Sequence, residues 1–148
     1  MNIEEIQSMW EQDSVIDDNH LGEASTDTAK VHAKYIKLMV QVKLRLTKSR
    51  AEYNLLRKNK FKYYRGELSR EELVGLGWEP YQLIKPLKNE MDEFLQGDQD
   101  LINLNTKIEY LETMGYLLEG ILGQIKARDW QLKNGIEWKK FRSGRAHV

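Results

Sequence analysis

Cysteine is absent from the 148 residues, which excludes disulfides and thiolate metal sites. Proline is almost absent, with only Pro80 and Pro86. No apolar run approaches the roughly 18 residues needed to cross a bilayer. The opening Met-Asn-Ile-Glu-Glu lacks the basic-then-apolar pattern of a secretory signal, so a reducing cytosol is the expected setting. A glycine-rich loop ending in Lys-Ser/Thr is missing as well, so nucleotide hydrolysis by a P-loop is not expected. The three histidines, His20, His32 and His147, are scattered. The nearest approach to the Glu-x-x-His pair of a di-metal bundle is His20-x-x-Glu23, which is reversed and has no second copy. Glu90, Asp92 and Glu93 read as the solvated face of a short helix. With no nucleophile, base and orienting group that belong together, we expect a protein that is not an enzyme and needs no metal or cofactor.

Net charge is also lacking, because 23 bases cancel 23 acids. The cancellation hides a strong segregation. Residues 1–29 carry eight acids and no Lys or Arg, residues 30–65 carry twelve bases against one acid (+11), and the remainder sums to −3. Only the middle block has the charge density expected of a surface that binds a polyanion.

The breakers are concentrated as well. Both prolines and Gly66, Gly75, Gly77 and Gly97 fall between residues 66 and 97, leaving long uninterrupted stretches on either side. Asn2 can cap a short first helix carrying Ile3, Ile6 and Met9 or Trp10 on one face, and Asp13 to Asp18 reads as a turn. Val31, Tyr35, Leu38 and Val42, continued by Leu46, Tyr53 and Leu56, follow helical spacing. In the C-terminal third, positions 101, 104, 108, 111, 115, 118, 122, 125, 129, 132 and 136 keep an alternating 3-4 spacing, and nine of the eleven are apolar. Sustained heptads of this kind predict a coiled-coil-like seam. Met114, Leu117 and Ile121 form a second stripe beside it.

One partner helix cannot cover both stripes, so burial between subunits is expected, with Leu104, Ile108, Leu111, Leu118, Leu122, Ile125 and Leu132 as the oligomerisation residues. Gly115, Gly120 and Gly123 cost about 1 kcal/mol each against Ala in a helix, which close approach of another helix would offset. Ser69-Arg-Glu-Glu72 has the capping-box pattern of a short helix ending by Gly75 or Gly77. Pro86 fits the first turn of another, through about Leu95. The expected fold is all-α. A single helical domain (1–148) divides into an acidic helix and turn (1–18), a long basic helix (19–65), a linker with short helices (66–97), a heptad helix (98–141) and a polar tail (142–148).

Lys43, Arg45, Lys48, Arg50, Arg57, Lys58, Lys60, Lys62 and Arg65 place nine positive charges within 23 residues, and Phe61, Tyr63 and Tyr64 are interleaved at the end of the run. Single-strand binding needs cations for phosphates and flat rings on which bases stack. The candidate DNA-binding residues are Lys48, Arg50, Arg57, Lys58, Lys60, Lys62, Tyr63, Tyr64 and Arg65, with one of the two tyrosines stacking and the other packed inward. A solvated basic helix whose aromatics enter the core, or a helix lying on a membrane surface, would account for the same composition. No compact motif for reading duplex sequence is visible.

The segment Lys58-Asn-Lys60-Phe-Lys-Tyr63-Tyr64-Arg-Gly66 resembles the Lys-x-Arg-x-x-Tyr-Tyr-x-Gly at the end of a basic helix in UvsY, the recombination mediator family of T4-like phages. Ile16-Asp17 followed by Leu21 and Glu23 is similar to that family's approach to its first long helix. Gly120-Ile-Leu-Gly-Gln-Ile-Lys-Ala-Arg128 and the run from Lys133 through Phe141-Arg-Ser-Gly144 are similar to its last helix. Residues 70–98 match least. The resemblance implies a ring- or barrel-like homo-oligomer, a hexamer or heptamer, that binds single-stranded DNA without sequence preference in the cytoplasm of an infected host cell. It implies a cognate recombinase and a single-stranded-DNA-binding protein as partners, the first being helped to displace the second. The family's DNA-binding pair of bases falls on Lys58 and Lys60, the second a Lys where the family has Arg, which keeps the charge and loses the planar fork. Lys62 and Arg65 are additional bases. A helical scaffold without a DNA role remains the alternative.

Overall fold

The computed structural model describes residues 1–145 and is built from helices: α1 (Ile3–Asp13), a short 3-10 turn (Asp18–His20), α2 (Leu21–Tyr64), α3 (Arg70–Leu76), α4 (Met91–Gln96) and α5 (Gln99–Arg145). None among the described residues is long and apolar enough to cross a membrane. α2 has 44 residues and α5 has 47, lengths permitted by the absence of proline from both spans. The ends are set by local chemistry. Asn2 caps α1, its side chain accepting from the Glu5 N–H at 2.8 Å, and Ser69 caps α3 by accepting from the Glu72 N–H at 3.1 Å. α2 stops at Gly66, whose φ of +69° takes the left-handed conformation. The Glu67 N–H then donates to the Lys62 carbonyl and the Gly66 N–H to that of Tyr63, closing a Schellman turn.

Two expectations about boundaries change. Residues 86–90 are not helical and α4 begins at Met91, so Pro86 is not in its first turn. Without that proline, Glu90 stands at the N-cap and makes no side-chain capping bond. α5 continues through the segment expected to be a tail as far as Arg145, and His147 lies outside the described residues.

The chain forms two compact units. The first combines Met1–Leu44 with the chain from Glu112 onward. Its core comprises Ile6 of α1, Tyr35, Met39 and Val42 of α2, and Met114, Leu118, Ile121 and Ile125 of α5. Trp10 packs edge-on against Tyr35, with ring centroids 5.6 Å apart, and donates its indole N–H to Gln124. Asp13 gathers three donors: its carboxylate accepts from Lys34 and the Tyr35 hydroxyl, and its carbonyl accepts from Arg128. Burial works against ionisation of Asp13, but the bonds from Lys34 and Tyr35 outweigh it and hold the carboxyl below its usual range. The end of the acidic N-terminal segment is thus engaged within its own chain.

The second unit, Arg45–Leu111, has a smaller core of Met91, Leu95 and Leu101, packed by Tyr53, Leu56 and Tyr64.

The heptad positions are placed differently from the expected subunit seam. Ile108, Leu111, Leu118, Ile125 and Leu132 are buried within the chain, and only Leu104 and Leu122 keep partial exposure. In the first unit α1 supplies part of the missing cover: Ile6 joins Tyr35, Met39 and Val42 of α2 over Met114, Leu118, Ile121 and Ile125 of α5. Within the chain, the glycines do not mark close approach of another helix. A Cβ on Gly115 would meet Val42 only at 4.0 Å, and one on Gly120 or Gly123 would meet nothing within 4 Å. Leu118 has no solvent exposure, so Leu118→Ala should cost about 2–5 kcal/mol of stability. Leu118→Glu should unfold the protomer rather than release intact subunits. Urea denaturation followed by circular dichroism measures the first, and native helicity in the Glu variant would contradict the second.

Candidate nucleic-acid interface

All nine candidate DNA residues lie on the part of α2 within the second unit, or on the turn that ends it. Helical spacing distributes them around the axis, and the structure separates them into two groups.

Lys60 points inward. Its side chain is 8% exposed, and its ammonium sits 3.2 Å from Asp98 and 2.7 Å from Asp100. The same nitrogen lies 4.3 Å from the centroid of the Trp78 ring, a cation–π contact. Asp98 caps α5, accepting from the Leu101 N–H at 3.1 Å, and its other oxygen accepts from the Tyr64 hydroxyl at 2.6 Å. Burial alone would lower the Lys60 pKa, but the two carboxylates hold it above its ordinary value. Burial alone would raise Asp98, but the bonds from Tyr64, the Leu101 amide and Lys60 hold it below its ordinary value. Burial and the Asp98 bond push the Tyr64 phenol well above its usual range. Lys60 is therefore enclosed between carboxylates and an indole, a correction to its placement among phosphate contacts.

The tyrosines are corrected in the same way. Tyr63 donates its hydroxyl to the Glu79 carbonyl and packs against Trp78 and Tyr81, with centroids at 5.3 and 5.6 Å. Tyr64 packs against Tyr81 and Phe94. Both are inward members of one aromatic cluster, so the expected division between a stacking ring and a packed ring does not occur. The reading in which the aromatics enter a core describes this pair. Periodicity on α2 could not reveal it, because the covering residues come from the segment after Gly66.

The other candidates face outward. Lys48, Arg50 and Lys58 are exposed, and Lys62 is half-buried. Arg57 is exposed with Asp92 at 3.5 Å, and Arg65 pairs with Glu67 at 3.0 Å while lying over the Phe61 ring. Beside them opens a cleft of about 530 Å³ lined by Phe61, Arg65, Glu67, Lys85, Lys88 and Met91. Three bases and an accessible ring around one acid can take phosphate oxygens and a base. Lys85 and Lys88 carried no signal in the sequence, because they stand in an irregular segment with no periodicity. Asp98 did carry one: an Asp three residues before Leu101, the start of the heptads, has the N-cap pattern. Among the described residues, no group of three or more His, Asp or Glu is placed to hold a metal ion.

These features define an all-α protein of two long helices, with a basic outer surface on the first and a buried ion cluster where that helix ends. Residues 9–145 match the family described as "Recombination, repair and ssDNA binding protein UvsY", and the chain belongs to that family. It is 21% identical over 145 residues to the recombination protein uvsY of Enterobacteria phage T4, covering 98% of this chain and 100% of that one. Two crystal structures of the bacteriophage T4 recombination mediator protein UvsY share its fold. One has a TM-score of 0.84 at 21% identity, covering 97% of this chain and 98% of that one. The other has a TM-score of 0.80 at 20% identity, with coverages of 96% and 99%.

Lys60→Ala should destabilise the protein by about 3–5 kcal/mol, because it leaves Asp98 buried without its cation. Lys58→Ala should stay within about 0.5 kcal/mol of the wild type. Equal urea midpoints for the two variants would contradict the buried pair. The pH dependence has a definite sign. With its folded pKa held below the ordinary 3.8, the Asp98 carboxylate contributes stability that is present above 3.8 and is lost as pH falls through the lower folded value. Stability measured from pH 6 down to 2 should therefore fall less steeply in Asp98→Asn than in the wild type.

Proposed function

We propose that this protein is a non-enzymatic recombination mediator that binds single-stranded DNA and helps a cognate recombinase assemble on it in place of a single-stranded-DNA-binding protein. Family membership over residues 9–145 carries this reading. The +11 charge of residues 30–65, mostly on outward-facing side chains of α2, supports it. The setting is the cell of a phage-infected host. The working unit is the single helical domain, repeated in a homo-oligomeric ring of six or seven copies. Several basic helices on one strand raise avidity well above that of one subunit. Such an assembly holds the strand in a form the recombinase can bind while weakening the competitor's grip. With most of the heptad seam inside the protomer, subunit contacts fall to half-exposed Leu104 and Leu122 and to exposed Val40, Leu44 and Leu55 of α2.

The DNA contacts are Lys48, Arg50, Lys58 and Lys62, joined by Arg65, Lys85 and Lys88 at the cleft. Lys60, Tyr63 and Tyr64 act behind them by holding the folded segment against α2. One observation favours a second reading, a helical scaffold without a DNA role. Arg57, Lys60 and Arg65 already have acidic partners in their own chain, as expected if the basic helix serves assembly alone.

Binding of a labelled dT oligonucleotide at several salt concentrations separates the two. Four of these seven cations engaged on phosphates in each subunit, at about −0.7 each, give a slope of log K against log salt near −3, roughly a 50-fold loss between 50 and 200 mM. Lys58→Ala with Lys62→Ala should flatten the slope by about 1.4 and weaken dT and mixed sequence alike, because phosphate contacts carry no sequence information. Light scattering should show an unchanged assembly. An oligonucleotide that does not bind at 50 mM salt would leave the scaffold reading.

A further inference from the structure

We propose that the last five turns of α5 form a second single-strand contact surface, separate from α2 and carried by Trp130, Phe141, Lys126, Lys133 and Lys140. This inference rests on the single-strand-binding reading above.

The sequence places the necessary charge there. The −3 of residues 66–148 combines twelve acids against four bases over 66–125 with seven bases against two acids over 126–145. This second basic segment, at +5, is concealed by its acidic neighbour in any tally of the whole C-terminal half. Helical geometry then sorts the residues. Positions 126, 130, 133, 137, 140 and 141 follow the i, i+4, i+7, i+11, i+14, i+15 pattern of one face, about 22 Å long. They read Lys, Trp, Lys, Glu, Lys, Phe, with Glu137 inside the row and exposed Asp129 at its edge, so three cations and two rings are set against two acids. The buried face of the same turns carries Ile125, Arg128 and Leu132, which rotates this one to the outside.

The rings keep much of their surface exposed. Trp130 is 68% exposed, Trp138 59% and Phe141 53%, while Lys126, Lys133 and Lys140 are all exposed. Trp138 lies beside the stripe and stacks on Phe141, with centroids 5.8 Å apart and planes 23° from parallel, so two rings already form a flat platform. Large apolar side chains are costly to leave in water, and three of them in sixteen helical residues call for an occupant. Charge identifies it: a partner that offers both flat apolar faces and negative charge at short repeat suits a row of rings between lysines, and single-stranded nucleic acid has that chemistry. Of the rings at the end of α2, Tyr63 and Tyr64 are packed inward and Phe61 alone is exposed, beneath Arg65 at the cleft. α2 therefore supplies mainly cations, and α5 adds a longer row of exposed rings.

The test uses the full-length protein, a fluorescently labelled dT oligonucleotide and light scattering on the same samples. Wild-type binding at 50 mM salt is the reference, and its absence overturns this surface together with the reading it rests on. Trp130→Leu and Phe141→Leu should each weaken binding roughly 5- to 150-fold while the thermal melt stays unchanged. Lys126, Lys133 and Lys140 all replaced by Gln should flatten the salt slope by about 2 with the assembly mass unchanged. If the wild type binds and these variants bind equally well with equal slopes, the surface is overturned while the mediator reading stands. If the ring variants shrink the assembly, the lysine variant decides. A flattened slope at native mass supports the DNA surface. An unchanged slope assigns the face to contacts between copies of the chain and overturns the proposal.

Discussion

A lysine ammonium removed from water loses several kcal/mol of hydration, and the loss is recovered only when opposite charges and further polar partners surround it. Lys60 meets that condition with Asp98, Asp100 and the Trp78 face. The consequences spread from this one placement. Asp98 is at once the partner of Lys60, the acceptor for Tyr64 and the cap of α5, so the end of one long helix is joined to the start of the other through a single carboxylate. Trp78 then lies against Tyr63, and the irregular segment between α3 and α4 is drawn over the aromatic cluster. Removing the ammonium would leave a buried anion and loosen each of these contacts together.

The first unit uses the same device with different residues. Asp13 at the end of α1 accepts from Lys34 and Tyr35 and offers its carbonyl to Arg128, so one acid connects three helices. In both units an acid at a helix terminus is surrounded by donors from the long helices. The bonds are short, and the carboxyl groups stay ionised against the effect of burial. Charge is thus used internally at the helix ends and left outward along the helix bodies. This division explains how a chain of zero net charge can still present strongly basic surfaces.

On the proposed single-strand-binding reading, the cations that remain outside are the ones available to phosphates. Phosphates are met by side chains that stay hydrated and reach outward, and a buried, doubly paired lysine cannot serve. The motif at the end of α2 therefore has two components of similar sequence and different role. Lys58 and Lys62 face solvent or the boundary, while Lys60, two residues from each, turns through about 200° of helix into the ion cluster. A double replacement of Lys58 and Lys60 would mix a surface charge effect with a loss of fold stability, and only the single variants separate them.

The sequence by itself determined the elements. The absence of proline from residues 1–79 and 87–148, the caps at Asn2 and Ser69 and the glycine at 66 are local signals, and local backbone preference suffices to read them. It also determined that the middle of the chain is basic, because charge is additive along a sequence. The tertiary structure decided what covers what. The two apolar stripes of α5 read together as a surface buried between subunits, whereas in the first unit Ile6 of α1 packs against them, and Pro86 read as a helix start in a segment that is irregular. Lys60, Tyr63 and Tyr64 looked like DNA contacts until residues 78–100 enclosed them. In each case the deciding partner is remote in sequence, at separations up to 115 residues for Arg128 and Asp13. Burial and pairing depend on such contacts, and no periodicity within one helix records them.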